Sequence, residues 1–240
     1  MQLVVCIGLE EPLVLPINYN HIIQAVIYRA LSIMPDYAEF LHECGDAFGK
    51  RKYKMFHFGQ LEGKYRIQNK RIMFDSEVRF EIRSPEPILI NLLAGAFYRN
   101  GITFGSYVYR NIQIELQDDT VEDNELWIQM KSPITVRSTD SIAGKTYYYN
   151  PDESEFYEAV AQNFYRKYQA CYGVRPHTLI SLMKVDDGSM KKFVTNYQGN
   201  YIIGWFSRFR LCGERKYLDF LYQAGLGEKN AQGFGMFEIL

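Results

Sequence analysis

The stretch from Gln117 to Glu125, QDDTVEDNE, sets the strongest limit on what this chain can fold into. It carries five acidic residues and no apolar periodicity, so it reads as a linker. It falls near the middle of 240 residues, and leaves on each side about the length of one domain. The expectation is two domains, residues 1–117 and 125–240.

The hydrophobic pattern gives both halves one order of elements. Residues 2–9 predict a strand closed by Glu10-Glu11-Pro12. From Asn20 the apolar positions Ile22, Ile23, Val26, Ile27, Ala30, Leu31 and Met34 repeat as on one helix face, until Pro35 interrupts them. Asp36 then caps a short helix predicted to run to Cys44, before Gly45, with Tyr37, Phe40, Leu41 and Cys44 on its buried side. Strands at 52–61 and 64–82, a helix in PILINLLAGAFYRNG and a strand at 102–116 complete β-α-β-β-α-β, the ferredoxin-like order. Beyond the linker come a strand at 126–136, a hairpin arm near 144–149 and a helix from about Asp152 to Tyr172. Strands at 178–186, 190–198 and 201–211, a helix at 214–224 and a last strand to Leu240 then follow. The predicted fold class is therefore α+β, two tandem ferredoxin-like (βαββαβ) domains.

Composition removes several classes of function. Hydrophobic residues make up 47% of the chain and charged residues 23%, which excludes a largely disordered protein. The formal charge is −1, so any polyanion site must arise from local clustering. The supply of 19 Tyr and 16 Phe suits base stacking, and it suits β-sheet cores equally. Cys6, Cys44, Cys171 and Cys212 lie far apart, with no CxxC pair for a zinc ribbon. Neither a signal peptide nor a run of the ~18 apolar residues needed to span a bilayer is present, so a cytoplasmic protein with no membrane partner is expected. His21, His57 and His177 stand in no metal-ligand spacing; no metal and no cofactor are expected.

The clearest charge feature is residues 50–71. Lys50, Arg51, Lys52, Lys54, Lys64, Arg66, Lys70 and Arg71 face only Glu62, with Tyr53, Phe56, Phe58 and Tyr65 interleaved. Phosphate contact plus base stacking requires such a mixture, although a solvated hairpin with lysine-protected edges has it too. Residues 208–216, with Arg208, Arg210, Arg215 and Lys216 against Glu214, form a smaller basic patch. Near the C-terminus, Gly225, Gly227, Gly233 and Gly235 fall within eleven residues, together with Lys229 and Asn230. Such a loop allows backbone N–H groups to approach phosphate closely, but it matches neither a Rossmann nor a Walker A loop and also suits a tight helix-to-strand connection.

A dispersed set, Tyr28, His42 and Lys54, has the chemistry for cleaving RNA through its own 2′-hydroxyl. Stepping ~100° per residue from Ile22 puts Tyr28 outside the apolar face of its helix. The break at Pro35 is needed to fold His42 back towards it, and Lys54 enters from a neighbouring strand. Imidazole serves as acid or base near neutrality, a phenol positions the nucleophile, and an ammonium neutralises the crowded phosphate. From spacing alone the set stays a guess, since a lone helix-edge histidine is more often structural.

The ending LCGERKYLDFLYQAGLGEKNAQGFGMFEI resembles the C-terminal glycine-rich loop of CRISPR repeat-processing endoribonucleases. The opening LPINYNHIIQAVIYRAL…YAEFLHE…KRKYKMFHFGQL and SPITV at 132–136 are similar to the same family. The resemblance spans essentially the whole chain. It implies two ferredoxin-like domains and metal-independent cleavage of precursor CRISPR RNA to a 2′,3′-cyclic phosphate and a 5′-hydroxyl. It places Tyr28, His42 and Lys54 at the catalytic positions and the loop with Gly225, Gly227, Lys229, Asn230, Gly233 and Gly235 on RNA, to which the basic clusters add Lys50, Arg51, Lys52, Arg208 and Arg210 as expected RNA contacts. CRISPR repeat RNA is the implied partner, while a homodimer and association with an interference complex stay open. Non-cleaving RNA-binding proteins and structural subunits of interference complexes share the fold, and a small-molecule enzyme on it would require a deep apolar pocket.

Overall fold

The structure, a computed structural model, describes residues 1–39, 45–49, 51–139 and 145–240. The first half opens with β1 (Gln2–Gly8), β2 (Leu13–Pro16), α1 (Asn20–Leu31) and α2 (Pro35–Glu39). Short strands follow: β3 (Asp46–Phe48), β4 (Arg51–Tyr53), β5 (His57–Phe58), β6 (Tyr65–Gln68) and β7 (Arg71–Phe74). Next come β8 (Glu77–Arg83), α3 (Pro87–Asn100), β9 (Ile102–Phe104), β10 (Tyr107–Tyr109) and β11 (Ile112–Gln117).

Four of these strands form one antiparallel sheet in the order β11-β1-β8-β5. Its period of two decides what each face meets. Leu3, Val5 and Ile7 pair with Ile82, Phe80 and Val78 and point towards α1 and α3. There Ile23, Ile27 and Leu31 of α1 and Leu89, Leu93 and Phe97 of α3 close the core.

The second half repeats the order after β12 (Glu125–Met130). A hairpin of β13 (Arg137–Thr139) and β14 (Thr146–Tyr148) precedes α4 (Ser154–Tyr172). Then come β15 (Ser181–Lys184), the hairpin β16 (Lys191–Tyr197) with β17 (Asn200–Phe206), β18 (Arg208–Cys212), α5 (Arg215–Ala224) and β19 (Phe237–Ile239). The sheet β15-β18-β12-β19 is again antiparallel, and Phe156, Val160 and Phe164 of α4 join Leu218 and Leu221 of α5 on its inner face.

Several predicted strands are broken. The strand predicted at 102–116 turns back at Gly105, whose φ of +62° suits a tight turn, and becomes the β9–β10 hairpin plus β11. The stretches predicted at 52–61 and 64–82 divide into β4 to β8, with β7 pairing onto β2 and β6 onto β7 in a separate sheet. The strand predicted at 126–136 ends at Met130. SPITV instead meets β17 through a single bridge, Ile134 to Trp205. The stretch at 201–211 divides at Ser207, whose carbonyl accepts the Met130 N–H at 3.1 Å. The second short helix is described only as α2; its predicted continuation over residues 40–44 lies outside the described residues. The acidic linker is anchored: Val121 is buried, its N–H donates to Asp219 at 3.0 Å, and its carbonyl accepts from Arg215 at 2.9 Å. Among the described residues no helix is long and apolar enough to cross a membrane.

The halves meet over the second face of the first sheet, which carries Val4, Glu81 and Arg83. Arg83 donates to Glu81 and to the Phe237 carbonyl (2.8 Å), and its guanidinium lies 3.8 Å from the centre of the Tyr222 ring. Lys131 reaches Glu81 and Glu62 at 3.0 Å each. Burial alone would raise the Glu81 pKa, but the combined pull of Arg83 and Lys131 holds it below the usual carboxylate value. A depressed carboxylate pKa contributes stability that is present above about pH 4.3 and lost as pH falls through the folded value. Replacement of Arg83 by Met should therefore lower stability by about 3 kcal/mol at neutral pH. It should also flatten the loss of stability in acid, both read from urea midpoints across a pH series.

Candidate functional site

A cleft of about 860 Å³ opens where β4 and α1 of the first half face α4, β13 and the glycine-rich loop of the second. Arg51, Lys52 and Lys54 line it from one side, and Arg137, Arg166, Lys167 and Lys229 from the other. Among the described residues the lining carboxylates are Glu155, Glu158 and Glu228. Helical periodicity explains the α4 wall. Glu155, Glu158, Ala159, Gln162 and Arg166 fall on the stripe turned to the cleft, while Phe156, Val160 and Phe164 take the core.

Tyr28 and Lys54 lie next to each other. The Lys54 ammonium stands 5.1 Å from the centre of the Tyr28 ring, which meets Phe56 edge-on at 6.2 Å. Tyr28 is half-buried against the first core, so the helix angle that set it off the apolar face puts it at that face's margin. Desolvation, with the Tyr197 phenol nearby, raises its pKa. His42 and Lys50 lie outside the described residues. Arg51 and Lys52 are exposed and line the cleft.

The glycine-rich loop departs from the expected phosphate cradle. The N–H groups of Gly225, Gly233 and Gly235 donate internally, to Leu221, Asn230 and Pro133 carbonyls at 2.8, 3.0 and 3.0 Å. Glycine is required here by packing. At Gly235, φ is +83° and an added Cβ would lie 2.0 Å from the Leu226 carbonyl oxygen; at Gly227 it would lie 2.6 Å from that of Thr135. Asn230 also points inward. Its Nδ2 donates to the Leu226 and Phe234 carbonyls at 3.0 and 3.1 Å, and its Oδ1 accepts from Lys167 at 2.6 Å. Its carboxamide is thus spent within the loop. The charged side chains that the loop contributes to the cleft are Glu228 and Lys229, the latter at a left-handed φ of +61°. Burial, and then the Arg137 charge, lower the Lys229 pKa.

Lys167 escaped the sequence reading, although a lysine three residues beyond Phe164 and seven beyond Val160 stands out in an apolar stripe. It is buried and donates to the Gly225 and Gly227 carbonyls at 2.8 and 3.1 Å besides Asn230. Burial brings its pKa down to about 7, while three converging acceptors match the three donors of an ammonium.

Arg208 and Arg210 are not at this site. They lie on the face of the second sheet turned away from α4, beside exposed Trp127, because β18 alternates them with buried Phe209 and Leu211. Glu125 holds Arg210 in a bidentate pair at 2.5 and 2.6 Å, and Asp187 and Gln129 hold Arg208 at 3.3 and 3.1 Å. His57, which the sequence places in the basic segment, is fully buried against the Tyr222 carbonyl at 3.2 Å, and burial keeps its pKa well below the usual value.

Fold and site together define an α+β protein built around a cationic cleft that a C-terminal glycine-rich loop helps to wall. The family described as CRISPR associated protein Cas6, C-terminal, matches residues 116–239, and the chain belongs to it. CRISPR-associated endoribonuclease Cas6 of Pyrococcus furiosus is 27% identical over 230 residues, spanning 93% of this chain and 83% of that protein. CRISPR-associated endoribonuclease Cas6 1 of Methanocaldococcus jannaschii is 26% identical over 231 residues, spanning 93% and 86%. A solved CRISPR associated protein Cas6 superposes with a TM-score of 0.79 at 23% identity, covering 100% of this chain and 99% of that one. A structure described as an RAMP protein binding different RNA substrates gives 0.80 at 22% identity, covering 100% and 98%.

If the Asn230 carboxamide closes the loop, Asn230→Ala leaves two carbonyls and an ammonium short of a partner each. It should cost about 3 kcal/mol, read as a lower thermal midpoint, and should expose Lys229 and Gly225 to limited proteolysis.

Proposed function

We propose that this chain is a metal-independent endoribonuclease that binds CRISPR repeat RNA in the cleft and cuts precursor CRISPR RNA. Two ferredoxin-like units, residues 1–117 and 125–240, would form the cleft walls; the 4-1-3-2 strand order within each half supports that division. The observation that carries the reading is the contact of the Lys54 ammonium, which lines the cationic cleft, with the ring of Tyr28, in a chain of the Cas6 family whose curated relatives are named endoribonucleases.

In this reading the RNA 2′-hydroxyl attacks the adjacent phosphorus and the 5′ oxygen leaves, giving a 2′,3′-cyclic phosphate and a 5′-hydroxyl. His42 acts as general acid or base, removing the 2′ proton or delivering one to the leaving oxygen. The Lys54 ammonium neutralises charge that grows on the phosphorane. Tyr28 orients or activates the 2′-hydroxyl, and desolvation raises its phenol pKa, which favours the protonated, hydrogen-bond-donating form. Arg51, Lys52 and Lys229 hold the strand through phosphates.

Single-turnover cleavage of repeat RNA in the presence of EDTA tests this. Wild type should cut, a 2′-deoxy substitution at the cut site should abolish cutting, and His42→Ala should slow it by a factor of roughly 10² to 10⁴. Lys54→Met and Tyr28→Phe should slow the chemical step with less change in affinity. Cutting of the deoxy substrate refutes the internal nucleophile, and binding with no cutting at all leaves an RNA holder.

A further inference from the structure

The cleft contains one carboxylate held between cations from both halves. Glu228 Oε1 lies 3.5 Å from Nη1 of Arg51 on β4, and Oε2 lies 3.3 Å from Nε of Arg137 on β13. Each oxygen faces its own guanidinium, as the two non-bridging oxygens of a phosphodiester would. The Glu228 side chain is 18% exposed, against 51% and 38% for the two arginines, so the carboxylate sits deeper and the guanidiniums stay open to the cleft. Arg51 lies within electrostatic reach of the Tyr53 phenol group and Arg137 of the Tyr148 phenol group. The loop around Glu228 is fixed, since its N–H donates to the Thr135 carbonyl at 2.8 Å and the adjacent Gly227 carbonyl accepts from Lys167 at 3.1 Å.

A carboxylate and a phosphodiester each carry one negative charge, and guanidinium takes both through paired N–H donors. We propose that Arg51 and Arg137 form a phosphate subsite for the RNA backbone, occupied in this structure by the Glu228 carboxylate, which the incoming phosphate displaces. The inference rests on the RNA-binding reading above and adds a site and a regulating residue to it. Two ion pairs break as the protein–phosphate pairs form, so the subsite contributes little net affinity while Glu228 is present. Glu228 thereby weakens the hold on any RNA backbone, and stable binding must come from the remaining contacts.

Titrations of labelled repeat RNA and of a labelled oligouridylate, across a salt series, test this. Glu228→Gln should tighten both roughly tenfold and steepen the plot of log affinity against log salt by about 0.7 for one further neutralised phosphate. In a background of Arg51→Met with Arg137→Met, Glu228→Gln should have no effect. Unchanged affinity in Glu228→Gln overturns the subsite. Tightening that persists without both arginines also overturns it, because it marks a general change of field. If neither RNA binds wild type in a salt-dependent way, the RNA reading itself fails. Glu228→Ala repeats the measurement should the glutamine variant not fold.

Discussion

An ammonium enclosed by three oxygens sets the shape of the loop on which the cleft depends. Lys167 reaches from α4 to the Gly225 and Gly227 carbonyls and to Asn230, whose amide in turn holds the Leu226 and Phe234 carbonyls. Few local backbone bonds are available to a segment so rich in left-handed glycines, so its carbonyls need partners from elsewhere in the chain. Two polar side chains supply them. The consequence reaches the first half, because Asn20 and Gln24 of α1 donate to the Gln232 and Ala231 carbonyls at 2.8 and 2.6 Å. The loop is therefore a splice between the halves, and the helix it meets is the one that carries Tyr28.

The rest of the interface has the same polar character. A sheet face bearing Glu81 and Arg83 is buried against Lys131, Tyr222 and the Phe237 carbonyl, with each charge matched. Such a network contributes less net stability than an apolar core of equal size would, but tolerates only one register. A cleft that must hold cations from two halves at fixed separations gains from that intolerance. Arg51 and Arg137 face one carboxylate only while β4 and β13 keep their relative positions.

Much of this was legible in the sequence where a period carried it. The helices of both halves follow apolar repeats, and the order of elements survives although several strands are shorter than their β-rich stretches. What periodicity does not encode is the partner across a sheet. Arg208 and Arg210 read as a basic patch, yet alternation with Phe209 and Leu211 turns them to the face opposite α4, where Glu125 and Asp187 take their charge. The glycines announced tight backbone but not the direction of their N–H groups, and those of Gly225, Gly233 and Gly235 go to internal carbonyls. Lys167 was hidden because a lysine is expected at the surface, and only its place in the α4 stripe betrays it. Tyr28 and Lys54 came together through a helix angle and a family resemblance combined; neither alone would have paired a helix residue with one 26 positions later.

The nearly neutral total charge does not conflict with a polyanion site, because a bound strand responds to local charge. At physiological salt a charge is screened within about 8 Å, so a strand in the cleft senses mainly the cations and the carboxylates that line it. The acidic linker is engaged elsewhere: Asp118 lies 3.8 Å from the N-terminal ammonium, and Asp119 accepts from Gln2 at 2.8 Å. Of the carboxylates lining the cleft among the described residues, Glu155 and Glu158 stand on the α4 stripe, while Glu228 lies between two guanidiniums from opposite walls. Its position gives the cleft a cationic field that is partly self-neutralised at its centre, and that local balance, unlike the net charge of −1, is what a phosphate backbone meets.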